Sequence, residues 1–203
     1  MTTIDLIRHG ETASNASGRF RGTLDLPLTE RGLEQADALA RLLKRQRYSA
    51  YYSSPLTRAR QTLQPLCDSH RTQMTVDPRL DNLQLPLWEG KSYEEVKRRW
   101  PEAYQQWLTA PETMNLGGHE NLTDVGNRAL ALLDELVSRY EGQQIVLCSH
   151  RSVLKPLLSL ALGIQGQWFW RLNLDTGSVT RLVHSPHRGY QLDFLNLLPQ
   201  GNL

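Results

Sequence analysis

Cysteine is scarce in this chain: Cys67 and Cys148 are the only two among 203 residues. Each lies in an apolar segment and neither has metal-ligand spacing, so they read as buried free thiols in a reducing compartment rather than a disulfide framework. Charge of one sign is also scarce. The 23 Lys and Arg against 21 Asp and Glu leave a formal charge of +2, too little to argue for a nucleic-acid or membrane partner by bulk electrostatics. No apolar run approaches ~18 residues, and the first residues lack a basic stretch followed by an apolar core. The expected location is therefore the cytoplasm. Internal repeats and low-complexity segments are missing as well. What positive charge does here, it must do locally.

What is present is an ordinary globular composition, 39% hydrophobic and 22% charged. The length suits one domain, 1–203, with a small inserted cap, and it can bury roughly two-thirds of the unfolded chain's surface without a staple. Thr2–Arg8 predicts a buried strand that ends at a His-Gly turn. Residues 13–28 read as a loop. A helix follows from an N-cap at Thr29, with Leu33, Ala36, Ala40 and Leu43 on one face. Ala50–Ser54 predicts a second strand, and Pro55 opens a helix to about Cys67. Met74–Val76 is a third candidate strand. The segment from Leu83 to Gly118 is irregular, with helical patches such as Tyr93–Trp100, and is the candidate cap. A long amphipathic helix spans Leu122–Tyr140, a buried strand covers Ile145–Cys148, and a helix runs from Ser152 to Leu162. Two late strands, about Val179–Val183 and Gln191–Asn196, complete an α/β layered sheet with a mostly parallel order.

His9 and His150 both fall just past the C-terminal end of a predicted buried strand, the edge at which open α/β sheets bind ligands. The second strand ends at Ser54-Pro55-Leu56-Thr57-Arg58-Ala59. Convergence of these three strand ends would gather two imidazoles and two guanidiniums, Arg8 and Arg58. That set suits a phosphoryl group: a nucleophile, with planar cations that each bind two phosphate oxygens. His70, His119, His184 and His187 show no ligand spacing and read as surface or loop residues. Trp88, Trp100 and Trp107 read as core or cap packing, with a substrate mouth as the alternative.

The runs LIRHGETASN at 6–15, GRFRGTLDLPLTERG at 18–32, SSPLTRARQT at 53–62, LPLWEG at 85–90 and IVLCSH at 145–150 resemble the histidine phosphatase superfamily, in its phosphoglycerate-mutase-like branch. The resemblance covers nearly the whole chain. It implies a layered α/β/α fold and a His9 that is transiently phosphorylated on a ring nitrogen. Arg8, Arg58 and His150 would surround the phosphoryl group, and Asn15 would donate a hydrogen bond to it. No metal or other cofactor is implied, and the implied partner is a small phosphorylated metabolite.

Three departures from the family pattern stand out. The Glu that serves as proton donor before the W-E-G segment is replaced by Asn82, and an amide cannot deliver a proton. The neighbouring Asp81 is the first candidate for a surrogate acid, although adjacent side chains on an extended backbone point to opposite sides. Glu89 reads as the family's structural Glu. Arg151 stands where Gly usually follows the second His; it is either a solvated side chain or an extra cation that favours a second anionic group on the ligand. A Gly-Glu-Ser stretch is replaced by His119-Glu120-Asn121, and Arg21 stands where Gln is frequent and adds charge near the mouth. The function implied is a metal-independent phosphatase. The alternatives are a cofactor-dependent phosphoglycerate mutase, or a catalytically impaired protein that binds a phosphorylated ligand.

Overall fold

Residues Thr2–Arg8 form strand β1 and Gln144–Ser149 form β4, paired in parallel at the centre of a six-stranded sheet. The computed structural model describes residues 1–114 and 120–199. On the β4 side lie β2 (Ala50–Ser53) and the two-residue β3 (Thr75–Val76), both parallel to it. On the β1 side β5 (Val179–Ser185) pairs antiparallel with β1, and β6 (Gly189–Leu197) antiparallel with β5, giving the order β3-β2-β4-β1-β5-β6. The expected α/β sheet with mostly parallel order is the observed one.

Alternation along the central strands divides the apolar residues between two faces. Ile4, Leu6, Ile145 and Leu147 share a cluster with helices α6 (Leu122–Arg139) and α7 (Arg151–Ala161). Ile7, Val146 and Cys148 pack with α2 (Glu30–Leu43) and α3 (Thr57–Ser69) on the other face. The predicted stripe of α6 is buried from Val125 to Val137, and Tyr140 is half-buried beside it. In α2, however, Leu33 is exposed at 47% and Leu39 takes its place in the core. Residues 13–28 also hold a short helix, α1 (Ala13–Ala16).

Helix α3 begins two residues later than Pro55 suggests. Its first amide, Thr57 N, donates to the Asp25 carboxylate at 2.6 Å, and Thr57 Oγ1 donates to the same group at 2.8 Å. The cap comes from a residue 32 positions away, which local sequence does not reveal.

The irregular segment folds into α4 (Tyr93–Arg99), α5 (Pro101–Thr109) and a 3-10 turn at Pro111–Thr113, and residues 115–118 of the expected cap lie outside the described residues. Phe20 seats it: its ring centroid lies 4.8 Å from Trp88, 4.9 Å from Tyr93 and 5.7 Å from Trp107. Trp88, Val96 and Trp107 join the same apolar cluster as α6 and α7.

The turn after β1 meets the start of α2 at closest range. A Cβ on Gly10 would lie 2.6 Å from the Gly32 carbonyl oxygen, and one on Gly32 would fall inside contact distance of the Glu11 backbone. Only two glycines allow this approach, which holds the His9 segment against the helix. Gly32→Ala is expected to destabilise the protein by about 1–3 kcal/mol in urea unfolding and to lower turnover. An unchanged unfolding midpoint would refute the close-approach argument.

Candidate active site

Strand register brings the two histidines together. Arg8 pairs with Ser149 and Ser53 with Cys148, so His9, His150 and Ser54 follow side by side at the same sheet edge. The imidazole centroids of His9 and His150 are 5.1 Å apart, and both rings are buried.

The backbone sets the tautomer of His9. Its Nδ1 lies 2.7 Å from the Gly10 carbonyl oxygen, which can only accept, so Nδ1 carries the proton and donates it there. That leaves the lone pair on Nε2, and His9 lines the cleft. Gly10 is fixed in turn: its N–H donates to Thr62 Oγ1 at 2.9 Å, and Thr62 donates to the Arg58 carbonyl at 2.7 Å. Burial, then Arg58 and Arg8, hold the His9 pKa well below its ordinary 6.5.

His150 takes the opposite tautomer. Arg58 Nε donates to its Nδ1 at 3.2 Å, so the proton of the neutral ring sits on Nε2, which donates to Ser54 Oγ at 2.8 Å. Burial and Arg58 lower its pKa as well. Arg58 is fully buried and also donates to the carbonyls of Leu24 at 2.6 Å and Gly22 at 3.2 Å. Glu89 holds that loop by accepting from Leu24 N at 2.9 Å and Thr23 Oγ1 at 3.1 Å, the structural part expected of it. Arg8 is less satisfied. It donates to the Leu174 carbonyl, while its buried Nε has no partner among the described residues. Burial, with Arg151 and Arg21 nearby, brings Arg8 down to about 9; burial and Arg21 bring Arg58 down to about 10. Both stay cationic at neutral pH.

The cleft, about 480 Å³, is also lined by Arg21, Arg151, Tyr93 and Trp107. Arg151 therefore faces the site instead of standing in solvent, with its guanidinium 5.4 Å from the Trp170 ring centroid and 5.8 Å from that of Phe169. Trp88 is fully buried and Trp100 packs on the core, so of the three tryptophans Trp107 alone lines this cleft.

Asn82 lines the cleft wall. Its Nδ2 donates to the Gly22 carbonyl at 2.7 Å and its Oδ1 accepts from Ser152 Oγ, so both ends of the amide are bound to protein. The structure does not bring Asp81 into the cleft. Its Oδ1 turns back to accept from Asn82 N at 2.6 Å, and Asp81 is not among the cleft's lining residues, as side-chain alternation requires. Burial raises the Asp81 pKa. Asn15 is tied by its carbonyl, which accepts from Thr12 N at 3.0 Å and Thr12 Oγ1 at 2.8 Å, leaving its NH₂ as the remaining donor. His119 lies outside the described residues. Glu120 is paired with Arg128 at 2.5 Å, and Asn121 caps α6. Among the described residues, no group of three His, Cys, Asp or Glu is placed to hold a metal ion. No described helix is long and apolar enough to cross a membrane.

Several contributors were not singled out from sequence: the Gly10 carbonyl, the Gly22 and Leu24 carbonyls, Ser152 and Tyr93. Backbone acceptors carry no residue signature, so only Ser54, inside a quoted motif, had a signal. The two lowered imidazole pKa values have a definite consequence. In ligand-free protein both rings should stay neutral as pH falls through 6.5, where an ordinary imidazole takes up its proton. The unfolded chain binds the protons that the fold excludes, so stability should fall as pH drops below 6.5 and be fully present above it. Nitrogen-detected NMR checks this: a titration midpoint near 6.5 for either ring would overturn it.

Comparison with known proteins agrees with this geometry. The family model of the histidine phosphatase superfamily (branch 1) matches residues 4–197. Phosphoserine phosphatase 1 of Hydrogenobacter thermophilus is 31% identical, over 97% of this chain and 93% of its own. A probable phosphoglycerate mutase GpmB of Yersinia pestis is 32% identical, over 90% and 85%. The solved structure of Bacillus stearothermophilus YhfR superposes with a TM-score of 0.90 at 30% identity, covering 96% of each chain. The chain belongs to the histidine phosphatase superfamily and is an enzyme of that phosphatase class.

Proposed function

We propose that this protein is a metal-independent phosphatase that hydrolyses a small phosphorylated metabolite through a phosphohistidine at His9. The observation that carries the reading is the tautomer lock: the bond from His9 Nδ1 to the Gly10 carbonyl leaves Nε2 unprotonated where His9 lines the cleft, and the buried Arg8 and Arg58 lie close enough to help hold its pKa down. Attack by Nε2 forms an N–P bond and breaks the ester P–O bond. The guanidiniums stabilise the charge that spreads over the phosphoryl oxygens. Water then attacks phosphorus, the N–P bond breaks, and inorganic phosphate leaves with His9 neutral again. Neutral His150, held by Arg58 and Ser54, shapes the pocket beside the nucleophile. The relative named phosphoserine phosphatase supports a small phosphomonoester as the substrate class.

The leaving oxygen is the weak point. Asn82 cannot supply its proton, and the cleft is lined by no carboxylate among the described residues. Esters whose leaving group departs without protonation should therefore react best. Asn82 also favours a second reading, a site that binds a phosphorylated ligand with little turnover.

Phosphate release is the deciding measurement, with an aryl phosphate, an alkyl phosphate and 3-phosphoglycerate as substrates. Aryl turnover should be abolished in His9→Ala, and acid-labile phosphate should be trapped on His9 in the wild type. Tight phosphate binding without release from any ester would favour the binding protein, and isomerised phosphoglycerate without net release would favour a mutase. Asn82→Glu should raise the alkyl-to-aryl rate ratio by about ten-fold or more, within the ~10²–10⁴ that general acid catalysis supplies. An unchanged ratio would count against the missing-acid argument.

A further inference from the structure

Arg8, Arg21, Arg58 and Arg151 cluster around His9, with Arg19 on the cleft wall held by the Gly90 carbonyl, but the four are not equally satisfied. Arg58 has three protein acceptors and Arg8 has one. Arg21 and Arg151 are half-buried, line the cleft, and make no side-chain hydrogen bond or ion pair with any described residue. A guanidinium presents five N–H donors, and those of Arg21 and Arg151, left without protein acceptors on the same wall, are open to the oxygens of a ligand.

We propose that Arg21 and Arg151 form a second anion subsite beside the phosphoryl pocket, so that the ligand is a small phosphomonoester carrying a further anionic group, a carboxylate or a second phosphate. Charge matching supports this. A phosphoryl dianion at His9 is answered by Arg8 and Arg58, and the charges of Arg21 and Arg151 are left over. Burial and mutual repulsion show in the same direction: Arg21 is brought down to about 10 by burial and by Arg151, and burial lowers Arg151.

Arg151 is also pre-oriented. It stacks on Phe169 and Trp170, and Lys155 lies 4.5 Å from the Phe169 ring centroid and donates to the Phe169 carbonyl. Two cations crowd one aromatic pair, and burial followed by Arg151 and Arg8 brings Lys155 down to about 7. The two rings hold the Arg151 guanidinium at the cleft. Its place as the first residue of α7, directly after His150, puts it beside the phosphoryl pocket.

This inference rests on the phosphatase reading only for seating the ester group at His9, and its test does not require turnover. Calorimetric affinities on His9→Ala protein compare 3-phosphoglycerate with glycerol 3-phosphate, which replaces the carboxylate by an alcohol, and fructose 1,6-bisphosphate with fructose 6-phosphate. At least one doubly anionic ligand should bind about ten-fold or more tightly than its partner, and the larger gap tells carboxylate from phosphate. Adding Arg151→Gln or Arg21→Gln should shrink that gap to about two-fold. The affinity for glycerol 3-phosphate and the melting temperature report that each variant folds. Equal affinities within both pairs in the His9→Ala parent would overturn the second subsite, as would a gap that survives both arginine substitutions. Failure of the wild type to release phosphate from any ester would overturn the phosphatase reading and leave this one standing.

Discussion

Four guanidinium groups held around two buried imidazoles repel one another, and the architecture of the site follows from how that repulsion is contained. Backbone carbonyls do most of the containing. Leu24 and Gly22 accept from Arg58, and Leu174 accepts from Arg8, so positive charge is anchored without a carboxylate that would neutralise it. Burial first, and then the same field, keeps both imidazoles neutral. The Glu89 carboxylate is used one step away, on the loop that presents the carbonyls.

Asn82 fits into this framework. Its amide shares the Gly22 carbonyl with Arg58 and holds Ser152 at the start of α7, so it ties the arginine-bearing loop to the helix that carries Arg151. It is a neutral strut that gives the wall of the cleft a fixed position.

Much of the fold was legible because its signals are local. β1, β4, α2 and α6 carry periodicities that agree with their burial, and the Thr29 cap lies where its side chain predicts. Departures occur where a distant partner decides. Helix α3 starts at Thr57 because Asp25 reaches it, and Leu33 is exposed because Leu39 fills the core position. At the site, strand ends marked His9, Arg58 and His150, and the register then placed them together. Asp81 and Asn82 show the limit: adjacent residues of similar shape take opposite sides of one short segment.

The amino-acid sequence alone determined which groups reach the sheet edge, because hydrophobic alternation ends each strand just before its polar residue. It also determined what those groups cannot do, since an amide at position 82 has no proton to give. Only the tertiary structure decided the tautomers of His9 and His150, through a carbonyl and a guanidinium that approach from separate segments. It decided too that Arg21 and Arg151 face the cleft without a side-chain hydrogen bond to any described residue, with Arg151 placed by Phe169 and Trp170 from a separate segment of the chain. Residue type sets the chemistry available, and packing sets which atom of each residue is left free to use it.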